Sequence, residues 1–230
     1  MIRIILSLSM LMALVAGSAQ TLDFDITDFS SISFGVPGDL YLTQGSTEKV
    51  SVKGSDEAID RLVIEKKGSR LVIRSKDRNW SWRGFRRSNL TILVTFKDLE
   101  SLKVSSSGSV FGENKFQLAS DLELSVSGSG NMSLEVEARS LEAKVSGSGD
   151  IEIGGSADQA DMRISGSGKV RGDDFKVKSA EASISGSGSC YIEVEEEIVA
   201  NISGSGNVYY RGDPDRVLSN ASGSGRIRKM

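Results

Sequence analysis

The sequence contains no histidine, and this gap removes more chemistry than any other in its composition. Without imidazole, Ser-His-Asp and Cys-His nucleophile systems and most zinc sites are excluded. The many serines then lack an activating base and read as turn residues. Cys190 is the only cysteine among 230 residues, so no internal disulfide can form. Basic charge is not in excess: 28 Lys and Arg face 31 Asp and Glu, a net charge of −3. That balance argues against a general nucleic-acid binder. Beyond the N-terminus no apolar run is long enough for a bilayer span, which takes roughly 20 residues.

Residues 1–19 read as a secretory signal peptide. Arg3 supplies the positive start, Ile4 to Val15 form the apolar stretch, and Gly17-Ser18-Ala19 offers small residues for cleavage before Gln20. Cleavage there leaves 27 basic and 31 acidic side chains. No cysteine lies near the site, which argues against a lipid-anchored lipoprotein. The expected location is the periplasm, the outer cell surface or the medium, with no transmembrane span after cleavage.

What the chain has in abundance is one tetrapeptide. Ser-Gly-Ser-Gly begins at Ser127, Ser146, Ser165, Ser185, Ser203 and Ser222, in steps of 19, 19, 20, 18 and 19 residues. A weaker copy, Ser105-Ser106-Ser107-Gly108, lies 22 residues before the first. A fixed period of this length marks a solenoid, one repeat per coil. Five, three and one residues before each tetrapeptide stand apolar residues such as Leu122/Leu124/Val126, Leu141/Ala143/Val145 and Ile198/Ala200/Ile202. Period-2 alternation is the signature of a strand with one buried face. Five residues after each first Ser come Met132, Ile151, Val170, Cys190, Val208 and Ile227, so Cys190 falls in an inward column and reads as packing. At the C-terminus the pattern decays: the equivalents are Val217/Ser219/Ala221 and, two positions beyond Ile227, Lys229.

Each coil is thus strand, Ser-Gly-Ser-Gly corner, strand and a looser return. Glycine reaches positive φ at the corner, and small side chains let corners stack roughly 4.8 Å apart. The fixed register of apolar residues with every corner argues against a flexible Gly/Ser linker. A calcium-binding nonapeptide repeat is excluded by the spacing.

Residues 24 to 104 are strand-like as well, with runs such as Leu40-Tyr41-Leu42, Val50-Ser51-Val52 and Leu71-Val72-Ile73 punctuated by Gly38, Gly45, Gly54 and Gly68. Asp56 to Arg61 reads as one helical turn. The expected organisation is a signal peptide at 1–19, a β-rich start and cap at 20–104, and a repeat solenoid at 105–230.

The residues Phe29-Ser30-Ser31-Ile32, Gly38-Asp39-Leu40-Tyr41-Leu42-Thr43-Gln44-Gly45, Gly68-Ser69-Arg70-Leu71-Val72-Ile73 and Leu99-Glu100-Ser101-Leu102-Lys103-Val104 form a further pattern. The tetrapeptide series, Tyr209-Tyr210-Arg211-Gly212-Asp213-Pro214 and the ending Ser222 to Lys229 continue it. Together they resemble the "putative auto-transporter adhesin, head GIN domain" family of secreted bacterial proteins, over essentially all of the chain after residue 19. The resemblance implies an all-β, single-stranded right-handed β-helix with about 19 residues per coil in its C-terminal half. It implies export but no established activity and no catalytic residues. The translocator barrel of a complete autotransporter is not in this sequence.

Candidate sites are few. The segment Arg78-Asn79-Trp80-Ser81-Trp82-Arg83-Gly84-Phe85-Arg86-Arg87 gathers arginines and both tryptophans of an acidic protein. In an extended segment Trp80 and Trp82 share one face, and Trp80, Trp82, Arg83, Phe85, Arg86 and Arg87 together suit sugar rings, acidic glycans or lipid headgroups. The competing reading is a cap whose indoles cover the end of the core. Arg171-Gly172-Asp173 and Arg211-Gly212-Asp213 read as equivalent return turns rather than integrin motifs. The acids look scattered, and the column after the corner (Asn131, Asp150, Lys169, Ser189, Asn207, Arg226) holds only one. No catalytic, metal or cofactor site is assigned. The expected function is a non-enzymatic adhesin-like or envelope-associated module presenting a polar solenoid surface to polysaccharide or another envelope component. The alternatives are a β-helix polysaccharide lyase or hydrolase, and a structural module that self-assembles as a homo-oligomer.

Overall fold

In the computed structural model, residues 20–76 and 90–230 are described. The alternation of apolar and polar residues makes most of them strand, 72%. In chain order the elements are β1 (Gln20–Phe24), β2 (Ser31–Gly35), β3 (Asp39–Gln44), β4 (Lys49–Gly54), helix α1 (Asp56–Asp60), β5 (Leu62–Lys67) and β6 (Arg70–Ser75). Then come β7 (Thr91–Phe96), β8 (Ser101–Val104), β9 (Ser109–Gly112), β10 (Phe116–Gln117), β11 (Leu122–Gly128) and β12 (Asn131–Gly147). The last are β13 (Asp150–Gly166), β14 (Lys169–Gly186), β15 (Ser189–Gly204), β16 (Asn207–Arg211), β17 (Arg216–Gly223) and β18 (Arg226–Lys229). They form a β-solenoid of about 7 turns, with about 19 residues per turn.

From β11 onward the pairing is parallel and in the register of the repeat. Val126, Val145, Ile164, Ile184 and Ile202 are successive partners across β11 to β15. Each long strand bends at its return corner, so it serves two coils. In β12, Asn131–Ser133 lies beside β9, while Leu141–Gly147 lies beside β11. The inward columns are buried as the alternation requires: Leu141, Ala143 and Val145 are at most 2% exposed, and Met162 and Ile164 likewise. Burying each large aliphatic side chain contributes about 1.5–3 kcal/mol.

The tetrapeptide corner is fixed by two different demands on glycine. Gly147 has φ +118°, and a Cβ there would lie 2.6 Å from the carbonyl oxygen of Gly128 in the coil below. That oxygen accepts hydrogen bonds from Ser148 N at 2.9 Å and Gly149 N at 3.0 Å. The same double acceptance recurs from Gly147 to Ser167 and Gly168, and onward. A side chain at the first glycine would therefore be strained in its own backbone and would also break the stack.

The N-terminal third begins and caps the solenoid, but not in chain order. β2 lies between β6 and β8, with Ile32 paired to both Leu71 and Leu102. β3 lies between β7 and β9, with Leu40 paired to both Ile92 and Val110. The first coil of the chain is thus second in the stack. The coil outside it, β6 with β7, is sealed by antiparallel strands: β5 on β6 (Ile64 opposite Ile73), β4 on β7 (Val50 opposite Val94) and β1 on β4 (Leu22 opposite Val52). Antiparallel cover protects an edge that parallel coils would otherwise extend. Helix α1 follows β4, with Ser55 as N-cap accepting from Ala58 N at 3.3 Å.

The opposite end is open among the described residues. β17 pairs only with β15, and β18 only with β16. Val217 is 41% exposed and Leu218 40%, and the whole of β17 is exposed. The decayed alternation of Val217/Ser219/Ala221 thus falls in a coil that no strand covers among the described residues.

The two Arg-Gly-Asp copies are not equivalent turns. Arg171-Gly172-Asp173 lies within β14, where Arg171 pairs with Tyr191 before a register shift. Arg211 ends β16 opposite Glu193, two positions further along the coil, and Gly212 turns with φ +93°. Arg171 stands six residues after Ser165 and Arg211 eight after Ser203, so the two copies sit at different offsets from their corners. Cys190 is where the repeat places it: fully buried, with its thiol 3.1 Å from the Met162 sulfur and its pKa pushed up to about 12 by burial.

Candidate binding faces

Period-2 geometry sends alternate residues outward, and parallel stacking aligns them into ladders along the rod. The outer side of β11 and of the second halves of β12 to β15 carries three such ladders. One is acidic: Glu123, Glu142, Asp161 and Glu181 are direct partners in consecutive coils. The next ladder, two residues on, is Ser125, Lys144, Arg163, Ser183 and Asn201. The first serines of the tetrapeptides form a third.

A carboxylate ladder at strand spacing repels itself unless cations intervene. Here they do. Glu123 lies 3.0 Å from Lys103 and 3.5 Å from Lys144, Lys144 lies 2.7 Å from Glu142, and Arg163 reaches both Glu142 at 3.6 Å and Asp161 at 2.5 Å. Glu181 accepts from Asn201 Nδ2 at 3.3 Å. The Lys103 hydrogen bond holds the Glu123 carboxyl below its ordinary range, and Glu142 raises Lys144. The acids therefore are not scattered, as the sequence suggested. Four of them align four residues before the first four Ser-Gly-Ser-Gly corners, a column that a register-by-register reading of Glu123, Glu142, Asp161 and Glu181 would have exposed.

Two shallow grooves run along this side. One, about 600 Å³, follows the acidic ladder between Glu100 and Glu197. The other, about 510 Å³, follows the serine ladder from Ser146 to Ser222, with Lys144 and Arg163 at one end and Asn201 and Asn220 at the other. Both are open trenches along the rod, suited to an extended ligand rather than an enclosed small molecule. Among the described residues every carboxylate with a displaced pKa is displaced downward, Asp23, Glu65, Asp121, Glu123 and Asp213 alike. Hydrogen bonds and ion pairs keep them ionised, whereas a general acid at neutral pH needs the opposite shift.

The second side, carried by β9, the first halves of β12 to β15, β16 and β18, bears aromatic pairs. Tyr41 and Phe111 stack with centroids 5.3 Å apart, and Tyr191 and Tyr209 at 4.8 Å with planes 13° apart. Both pairs lie in one ladder, since Phe111, Ser133, Glu152, Arg171, Tyr191 and Tyr209 are successive partners. This site was readable from spacing, because Tyr191 and Tyr209 each stand six residues after the first Ser of a corner. The ligand residues expected from the sequence, Trp80, Trp82, Arg83, Phe85, Arg86 and Arg87, fall between β6 and β7, outside the described residues.

A capped β-solenoid whose exterior is organised into charged, serine and aromatic ladders is the class of protein these features define. The sequence profile of the "putative auto-transporter adhesin, head GIN domain" family matches residues 28–214, and the chain belongs to that family. Solved structures share the fold. A protein from Bacteroides fragilis described as a putative adhesin has a TM-score of 0.83 at 24% identity, covering 93% of this chain and 97% of that one. A putative adhesin from Parabacteroides merdae has a TM-score of 0.72 at 24% identity, covering 94% and 97%. A protein from Parabacteroides distasonis described as a putative lipid binding protein has a TM-score of 0.70 at 25% identity, covering 94% and 98%. No curated protein matches the chain.

Proposed function

We propose that the protein is an exported, non-enzymatic, adhesin-like binding module of the cell envelope that engages extended polymers along its rod. The observation that carries this reading is the in-register ladder organisation of the surface, with open grooves and acids neutralised by Lys103, Lys144 and Arg163. A repeated surface collects many weak contacts with a repeating ligand, so affinity arises by avidity. Family membership and the signal-like residues 1–19 support export. The segment containing Trp80, Trp82, Arg83, Phe85, Arg86 and Arg87 adds one anchoring point.

The test is binding of the purified protein to peptidoglycan, to acidic and neutral polysaccharides and to anionic lipid vesicles, with each polymer also assayed for shortening. Saturable binding to an intact polymer is expected, weakened by the paired substitution Trp80→Ala/Trp82→Ala. Shortened polymer would overturn the reading in favour of a lyase or hydrolase, and binding confined to vesicles would replace the polymer with lipid.

A further inference from the structure

On the aromatic side the last four coils build a grid with a single electrostatic sense. One ladder runs Lys169, Ser189, Asn207, Arg226. Beside it, two residues on, runs Arg171, Tyr191, Tyr209, Arg228. The two outer coils thus contribute four cations, and the two middle coils contribute a hydroxyl, an amide and two phenols. None of the eight residues is acidic. The neighbouring Asp150 lies 3.1 Å from Arg171 and accepts from Lys169 N at 3.0 Å, which holds that end of the grid in place.

The tyrosine pair adds to this sense. Tyr191 and Tyr209 cover each other's faces, so a ligand meets ring edges and phenol hydroxyls rather than an open π-face. Ring edges carry the positive part of the aromatic quadrupole, and phenol hydroxyls donate hydrogen bonds. Guanidinium groups match carboxylates as bidentate donors. Glu152 and Glu193 border the grid, and within it the groups that these eight residues offer favour an acceptor-rich, negatively charged ligand.

The arrangement also carries length information. The cationic coils are three steps apart, roughly 14 Å at ordinary strand spacing, with uncharged hydrogen-bonding groups between. A point-like anion would use one end only. A chain with carboxylates at intervals and hydroxyls between them uses both ends and the middle. The residues sit on paired strands, so the spacing is fixed before any ligand arrives.

We propose that this grid is the binding site for an acidic polysaccharide, a uronic-acid polymer lying along the rod axis with carboxylates at Arg171 and Arg228 and sugar hydroxyls over Tyr191, Tyr209, Ser189 and Asn207. The proposal rests on the reading of the protein as a polymer-binding module and names its site and ligand class.

The experiment titrates the purified protein with polygalacturonate, with dextran as the uncharged control and anionic lipid vesicles and peptidoglycan as separate arms. Three variants run in parallel: Arg171→Gln/Arg228→Gln, Tyr191→Ser/Tyr209→Ser, and Lys53→Gln/Arg70→Gln as a charge-matched control, both exposed on β4 and β6 away from the grid and the grooves. Circular dichroism checks that each is folded. Polygalacturonate is expected to bind saturably and to weaken as salt rises. Each grid variant is expected to lose tenfold or more in affinity while the control stays within twofold. Because the arginine and tyrosine pairs are changed separately, misfolding of one variant leaves the other to decide. Equal loss in the control, or no loss in the folded grid variants, would overturn the site. Binding to dextran, peptidoglycan or vesicles but not polygalacturonate would overturn this inference and leave the broader binding role standing. Binding to nothing would overturn both.

Discussion

Arg226 donates its Nη1 to the carbonyl oxygen of Gly225 at 2.7 Å and reaches that of Gly223 at 3.4 Å. In every lower coil the equivalent first-glycine carbonyl is satisfied by two N–H groups of the next corner. The last corner is completed by a side chain instead, so Arg226 serves as a C-terminal cap for the stacked corners. Replacing it with Ala leaves these acceptors to solvent and should cost about 0.5–1.5 kcal/mol. Faster amide hydrogen exchange confined to β17 and β18 is the expected readout, with little change lower in the stack.

The corner glycines should respond very differently from the hairpin glycine. Gly147→Ala combines φ +118° with a Cβ 2.6 Å from the Gly128 oxygen, whereas Gly68 has φ +62° and nothing within 4 Å. Urea unfolding should show a loss of about 3 kcal/mol or more for Gly147→Ala, against about 1–2 kcal/mol for Gly68→Ala. Equal losses would mean that conformation alone, not the close approach of coils, requires the corner glycine.

Glu48 anchors the capped end. Its side chain is 3% exposed, lies 3.5 Å from Lys97, and accepts from the backbone N–H groups of Asp28 at 2.9 Å and Phe29 at 3.3 Å. Asp28 has φ +58°, so the carboxylate holds an uncommon backbone turn in place. Glu48→Gln should destabilise the protein by about 1–3 kcal/mol in urea titration, since charged acceptors contribute more than neutral ones.

Acid should loosen the surface ladders before the core. Asp121 is held at about 2, first by its hydrogen bond to Arg139, and Asp213 is lowered first by Lys229. Because these native pKa values lie below the unfolded ones, the contribution is fully present above roughly pH 4 and is lost as pH falls toward 2. Melting temperature should therefore decline over that interval, and Asp121→Asn should flatten part of the decline. A melting temperature independent of pH from 4 to 2 would contradict this linkage.

Burial raises the Cys190 thiol to about 12, and the strands of β14 to β16 enclose it. Thiol reagents should leave the native protein unmodified at pH 8 and modify one thiol promptly in denaturant. Rapid labelling of the native protein would show that this part of the core opens.

The repeat made most of the architecture legible. Leu141, Ala143 and Val145 announce their column because the same three offsets recur before every corner, and a periodic signal survives single weak positions such as Ala160. The place of Ile32 was not legible in the same way. Its partners Leu71 and Leu102 are far apart in the chain, and local alternation is identical whichever neighbour a strand chooses. The acidic ladder was written in the offsets but is lost when acids are counted along the chain rather than across coils. The equivalence of the two Arg-Gly-Asp copies failed because the tripeptide begins six residues after Ser165 but eight after Ser203, which puts Arg171 inside a strand and Arg211 at the end of one.

The interleaving of β2 and β3 between later strands has a consequence for synthesis and inheritance. Both neighbours of the first coil are made after it, so its edges stay open until residues up to 112 have left the ribosome. From then on each new coil needs only the one below it. Duplication or loss of whole 19-residue units after residue 112 should change the length of the rod without rewriting its foundation, whereas the same event before that point would break it.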